Sequence, residues 1–192
     1  MTDPYCWPRG NCLKNRLGLK DADRLAVAES RIVSARDVEA ARNTIPGDFN
    51  LDHLRAFHRA LFRDVYDWAG DTRIVDISKG ESRFCHWRYI DEEINAVLGE
   101  LANDGHLTGY NHAAFVKSLA HYYGELNARH PFREGNGRAI RAFLRQLGAA
   151  SGFYLDWSEL SKSDNIEACR ENLLTTDTRR LESVLGPVVR RI

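Results

Sequence analysis

The chain has 192 residues, one domain's worth, and 43% of them are hydrophobic, enough to bury a sizeable core. Basic and acidic side chains balance at 27 each, which argues against a protein whose main work is coating nucleic acid or an anionic membrane. No apolar run long enough to cross a membrane occurs, no basic leader precedes an apolar stretch after Met1, and Cys6, Cys12, Cys85 and Cys169 form no C-x-x-C pair, so the expected compartment is the reducing cytoplasm.

In chain order, residues 1–20 are punctuated by Pro and Gly and read as an irregular arm lying on the domain. Residues 21–192 read as a single domain, with its core region at 50–180. From Asp21 the pattern is helical, with Leu25, Ala28 and Ile32 at helix spacing and charges between them. Residues 46–49 make a turn, Asn50 is placed to cap a second helix, and Leu51, Leu54, Phe57 and Leu61 form its apolar face as it runs into Val65. Thr72 to Phe84 is rich in β-branched residues, and Lys79-Gly80-Glu81 supplies a turn, so this segment reads as the one hairpin of the chain. Helices resume with Ile94, Val97, Leu98 and Leu101, then Phe115, Leu119, Tyr122 and Leu126, then Ile140, Phe143, Leu144 and Leu147. From Trp157 the chain reads as helical to its end, with a break near Thr176 and a solvated Arg190-Arg191. The fold class expected is mostly α with one small β excursion. A lone two-stranded hairpin has no sheet to join and is marginal by itself, so it is either a surface loop or a clamp over a site.

The chemistry concentrates in His130-Pro131-Phe132-Arg133-Glu134-Gly135-Asn136-Gly137-Arg138, followed by Ala139-Ile140-Arg141. Pro131 ends the preceding helix, and Gly135 and Gly137 free the backbone just before the next one. Such a turn aims unpaired N–H groups and the positive end of a helix dipole at one point, which favours an anion. Arg138 and Arg141 lie three residues apart on neighbouring helical positions and reach the same ligand. Glu134 would repel phosphates unless a divalent cation stood between, and magnesium needs only one or two carboxylates besides phosphate oxygens and water. His130, with an ordinary pKa of about 6.5, can accept a proton near neutrality. His53, His58, His86, His106, His112 and His121 show no spacing that converges on a metal and read as structural or solvent-facing. Trp68, Trp87 and Trp157 read as core anchors, and Cys85 as a bystander.

The same string resembles the signature of the Fic (Fido) family, His-Pro-Phe-x-(Asp/Glu)-Gly-Asn-Gly-Arg-x-x-Arg, at every fixed position. Leu54 to Phe62, Tyr66-Asp67-Trp68-Ala69-Gly70, the Arg73–Phe84 segment and Gly152 to Trp157 resemble its flanking segments, so the likeness covers residues 10–185. The resemblance implies a helical bundle with one β-hairpin flap over the active site. It implies a protein adenylyltransferase that moves AMP from ATP to a Ser, Thr or Tyr hydroxyl of a target protein. His130 would be the general base and Glu134 the Mg²⁺ ligand. The backbone of Gly135, Asn136 and Gly137 would form an anion hole, with Arg138 on the outer phosphates and Arg141 in support. Ile77, Lys79 and Gly80 of the flap would dock the target by strand addition. Glycine at 137, where a kinase branch of the family has lysine, favours AMP transfer. Transfer of another phosphate-containing group on this scaffold, or a non-catalytic nucleotide-binding regulator, are the alternatives.

Many family members carry an inhibitory helix of the form Ser/Thr-x-x-x-Glu-Gly/Asn whose glutamate engages the second arginine. Here Glu171-Asn172 has Glu167 four residues earlier in place of Ser or Thr. The chain therefore resembles the branch in which a small separate antitoxin supplies that glutamate, to Arg141. Compact toxins of that branch act on DNA gyrase and topoisomerase IV.

Overall fold

The structure, a computed structural model, describes residues 3–8, 10–80 and 82–192. Met1, Thr2 and Arg9 of the arm, and Glu81 of the expected flap turn, lie outside the described residues. Among the described residues the helices are α1 (Ala22–Arg42), α2 (Leu51–Phe62), α3 (Ile90–Asn103), α4 (His112–Arg129), α5 (Asn136–Ala150), α6 (Lys162–Thr175) and α7 (Arg179–Leu185). The strands are β1 (Ser78–Lys79), β2 (Ser82–Arg83), β3 (Phe153–Leu155) and β4 (Val189–Arg191). Mostly helical architecture is as expected.

Helix starts follow local chemistry. The side chains of Asp21, Asn50, Asn111 and Ser161 each accept a hydrogen bond from the backbone N–H three residues on, satisfying a donor the helix itself leaves free. The core lies where α2, α4 and α5 meet, with Phe57, Leu61, Phe115, Leu119, Ile140 and Phe143 all buried. Each such side chain contributes about 1.5–3 kcal/mol through removal of apolar surface from water. α3 and α7 close the sides of α4, and α1 lies across α2 and α5.

Three expectations are corrected. First, the buried stripe of α1 is Leu25, Glu29 and Val33, not Leu25, Ala28 and Ile32; a carboxylate occupies the inner face. Second, the hairpin is much shorter than Thr72–Phe84. β1 pairs antiparallel with β2 over two residues a side, Ser78 opposite Arg83 and Lys79 opposite Ser82. The approach to it has other hydrogen-bond partners: the Arg73 N–H donates to the Pro131 carbonyl, the Ile74 N–H to the Tyr5 hydroxyl, and Asp76 accepts from the Trp87 N–H. A ladder cannot form from groups already used. Third, the C-terminus is not helical to its end. β4 pairs antiparallel with β3, Tyr154 opposite Arg190, and this second ladder packs on α5. Arg190 and Arg191 are exposed, as expected, with Arg190 reaching Glu159 at 2.9 Å across the surface. The break near Thr176 is present, with that residue in a left-handed conformation at φ 60° capping α6.

The arm of residues 3–20 crosses back to the domain. Arg16 N–H donates to the Val65 carbonyl, Tyr5 meets Trp68 edge to face, and Asp3 pairs with Arg133 at 2.6 Å.

Candidate active site

α4 and α5 are joined by residues 130–135, and the signature side chains project from that bend or from the first two turns of α5. α4 ends because Pro131 follows it and because His130 takes a left-handed conformation, φ 45° and ψ 63°, with its N–H still bonded to the Leu126 carbonyl. The bend is stapled internally. Asn136, buried, accepts from the Phe132 N–H and donates to the Phe132 carbonyl, both at 2.7 Å. Its side chain is thus spent on the loop, and only its backbone is available to a ligand.

α5 starts at Gly135, which caps it with φ 81° and offers no side-chain acceptor. A Cβ on Gly135 would lie 2.2 Å from Cζ of Phe62, so both conformation and space demand glycine. Without a capping side chain the first-turn donors stay open. The Gly135 N–H donates to Oε1 of Glu134 at 2.8 Å, leaving the Asn136 and Gly137 N–H groups without partners among the described residues. The anion hole expected from three backbone N–H groups therefore has two free ones, at the positive end of a 15-residue helix.

His130 is held on both sides. Its ring stacks on Phe84 with centroids 3.9 Å apart, and Nδ1 lies 2.9 Å from the Asn127 carbonyl. That contact requires the proton on Nδ1, so Nε2 carries the lone pair. Burial lowers the pKa of His130 to about 4; the bond to Asn127 opposes the shift, and the charges of Arg73 and Lys79 add to it. The imidazole is neutral at pH 7, the form a base needs.

A cavity of about 780 Å³ opens over this bend. His130, Glu134, Gly135, Asn136, Gly137, Arg138 and Arg141 line it from below, and Ile77, Ser78, Lys79 and Phe84 from the flap. Gly80 stands at the flap tip with φ 60° and does not line it. The third wall is α6, through Lys162, Asn165, Ile166, Cys169 and Arg170. Nothing in the sequence marks α6 as part of a site, because its face toward the cavity mixes charged, amide and apolar residues.

The three arginines of the bend have different employment. Arg133 is taken by Asp3, so it does not add to the cavity's free charge. Arg138 pairs with Glu29 at 2.6 Å and Glu134 at 3.3 Å, and its guanidinium lies 4.8 Å from the centre of the Phe62 ring. Arg141 has no carboxylate partner among the described residues and faces the cavity with its charge free. Glu134 is the one carboxylate of the lining; its Oε2 has no partner among the described residues. No group of three or more His, Cys, Asp or Glu that could hold a metal occurs among the described residues. A single carboxylate with an open oxygen fits a magnesium ion that brings phosphate oxygens and water as its other ligands.

Two positioning residues lie outside the bend. Arg73 is fully buried and spreads its donors over four backbone carbonyls: Nε to His130 at 2.9 Å, Nη1 to Val75 at 2.7 Å, and Nη2 to Cys85 and, at 3.2 Å, to Arg129. It ties both legs of the flap to the end of α4. His58, also buried, is stacked between Phe132 and Phe62 at 3.9 and 4.6 Å. Its Nδ1 accepts from the Gly70 N–H at 2.8 Å, so Nε2 donates to the Glu134 carbonyl at 3.0 Å. Burial lowers its pKa to about 3 against the opposing bond to Glu134, and the nearby Arg138 and Arg59 charges add to the shift. The expectation of a structural histidine holds at this position. Its link to Glu134 is legible only in three dimensions, since the one sequence signal is a place on the apolar face of α2. Cys85, raised in pKa by burial, is an inert thiol.

Comparison with known proteins agrees with this geometry. A profile of the Fic/DOC family matches residues 48–147. The chain is 45% identical to the probable protein adenylyltransferase Fic of Salmonella typhimurium over 159 residues, 83% of this chain and 78% of that protein. It is 42% identical to the probable protein adenylyltransferase Fic of Escherichia coli over 97% of this chain and 92% of that protein. It is 42% identical to the protein adenylyltransferase VbhT of Bartonella schoenbuchensis over 88% of this chain, and it spans only 36% of VbhT. Among solved structures, BepC of Bartonella tribocorum with bound AMPPNP superposes with a TM-score of 0.93 at 27% identity, over 98% of this chain and 97% of that one. With the signature bend, the flap above it and near full-length relatives all in agreement, the chain belongs to the Fic/DOC family.

Proposed function

We propose that this chain is a protein adenylyltransferase that uses ATP and Mg²⁺ to place AMP on a Ser, Thr or Tyr hydroxyl of a target protein. The observation that carries the proposal is the convergence, in one cavity, of a neutral imidazole lone pair, two unpartnered helix N–H groups, a free arginine and a single open carboxylate. The hydroxyl oxygen attacks the α-phosphorus, the bond to the oxygen bridging to the β-phosphate breaks, and pyrophosphate leaves. Nε2 of His130 takes the hydroxyl proton. The Asn136 and Gly137 N–H groups hold phosphate oxygens, and Arg141 and Arg138 balance the charge that moves onto the leaving pyrophosphate. Glu134 holds Mg²⁺, which when bound neutralises phosphate charge. The exposed flap strand around Lys79 offers backbone groups to an extended target segment, so that the hydroxyl is aligned without close reading of its side chains.

The likeness to compact family members extends the proposal to a toxin of the cytoplasm. It is restrained by a small antitoxin and acts on DNA gyrase and topoisomerase IV. The unpaired guanidinium of Arg141 supports this, since it is open to a glutamate from another chain.

Incubation with α-labelled ATP and a bacterial lysate tests the chemistry. Label should appear on a discrete protein band and vanish with His130→Ala. Equal labelling by the variant would refute the base, and no labelling by the unaltered chain would favour a nucleotide-binding regulator.

A further inference from the structure

We propose that Glu29 is a positioning residue for the outer-phosphate arginine: it clamps Arg138 so that the guanidinium's remaining donors are left to a ligand of the cavity. Glu29 lies on the buried face of α1, far in sequence from the signature, and is 7% exposed. Its two oxygens are divided between two partners. Oε1 forms an ion pair with Nη2 of Arg138 at 2.6 Å, and Oε2 accepts the hydroxyl of Tyr66. Tyr66 is itself buried and stacked on Trp68, with ring centres 4.2 Å apart. The carboxylate therefore cannot swing, and the guanidinium it holds is pressed on its other side by the face of Phe62.

The consequence for Arg138 is an allocation of donors. Nη2 is ion-paired with Glu29 at 2.6 Å and donates a hydrogen bond to Oε1 of Glu134 at 3.3 Å. Nε and Nη1 have no partner among the described residues, and the side chain lines the cavity. An arginine presents its donors in a fixed fork, so holding one nitrogen orients the others. Without Glu29 the nearest carboxylate is Glu134, and a full pair with it would draw more of the fork's donors onto that acid. That pair would also occupy the one acid of the lining. Charge repulsion works against the arrangement, because Glu29 offsets part of the positive charge that phosphates seek. The burial of the clamp decides the balance: the pair is made once, during folding, and the ligand meets an arginine already ordered.

The inference rests on the adenylyl-transfer reading only in supposing that the ligand carries phosphates beyond the first. Titration calorimetry in Mg²⁺ with three probes, ATP, AMP and inorganic pyrophosphate, tests it on the unaltered chain, Glu29→Gln and Tyr66→Phe. Glu29→Gln keeps the shape and removes the charge, and should weaken ATP and pyrophosphate about tenfold or more. Tyr66→Phe frees the carboxylate without removing it and should weaken both about two- to fourfold, while AMP stays within about twofold for each variant. Unchanged ATP affinity in Glu29→Gln would overturn the proposal, and so would tighter binding, which means that Glu29 competes with phosphate. Parallel losses for ATP and AMP would overturn it as general damage. An unaltered chain that binds pyrophosphate but not ATP refutes the nucleotide reading and leaves the clamp measurable; one that binds neither ends both.

Discussion

Nε of Arg73 donates to the backbone carbonyl of His130 at 2.9 Å, and the same guanidinium holds the carbonyls of Val75 and Cys85 at the two legs of the flap. One buried side chain thus sets the distance between the flap, the proposed docking surface, and the imidazole of His130, the proposed base. Arg73→Lys keeps the charge but cannot span four carbonyls. We expect it to lower kcat/KM for the target by about a hundredfold, the usual effect of a misplacement near 1 Å, while ATP affinity changes much less. Steady-state kinetics with calorimetry of ATP binding checks the split, and equal losses in both would make Arg73 a purely structural residue.

The pH dependence of catalysis should be that of an unusually weak base. With His130 lowered to about 4, the imidazole is already deprotonated well below neutrality. The single-turnover rate should therefore stay flat from about pH 8 to about pH 5.5, where an ordinary histidine near 6.5 would have lost most of its activity. A limb centred near the ordinary value would show that the ring is solvated during turnover.

Stability should respond to acid through His58. Its pKa is about 3 in the folded chain and about 6.5 when unfolded. Between these values the unfolded chain binds the extra proton, so the contribution is complete above the unfolded value and is lost as pH falls toward the folded one. Thermal melts from pH 7 to pH 4 should drop steadily, by about 5 °C or more. In His58→Leu the drop should be shallower, although the melt at pH 7 is lower because the Gly70 N–H and the Glu134 carbonyl lose their partner. An identical pH slope in the variant would remove His58 as the cause.

The two glycines of the signature should separate folding from binding. Gly135→Ala places a methyl group into the Phe62 ring at φ 81° and should cost about 3 kcal/mol or more in urea unfolding. Gly137 is helical, and a Cβ there would lie 3.1 Å from Nη1 of Arg141, the far end of a flexible side chain. Gly137→Ala should therefore keep stability within about 1 kcal/mol and weaken ATP by displacing Arg141. A stable Gly135→Ala, or an unfolded Gly137→Ala, would contradict this division.

What the sequence determined by itself is what lies within one or two helical turns. The cap at Asn50, the apolar faces of α2 to α5, the stop at Pro131 and the glycine-flanked bend are local agreements of residue type with backbone geometry, and all are legible in order along the chain. The family signature sits in the same local string. What only the tertiary structure decided is the set of partners brought together from distant segments. Glu29 reads in sequence as one charge on an amphipathic helix, and only the packing of α1 over α2 and α5 turns it toward Arg138. Arg73 reads as a residue of a strand and becomes a hub because four carbonyls converge on it in space. The β3–β4 ladder and the α6 wall escaped for the same reason. Periodicity records which face of an element is buried, whereas the identity of the group across the interface depends on how whole elements dock.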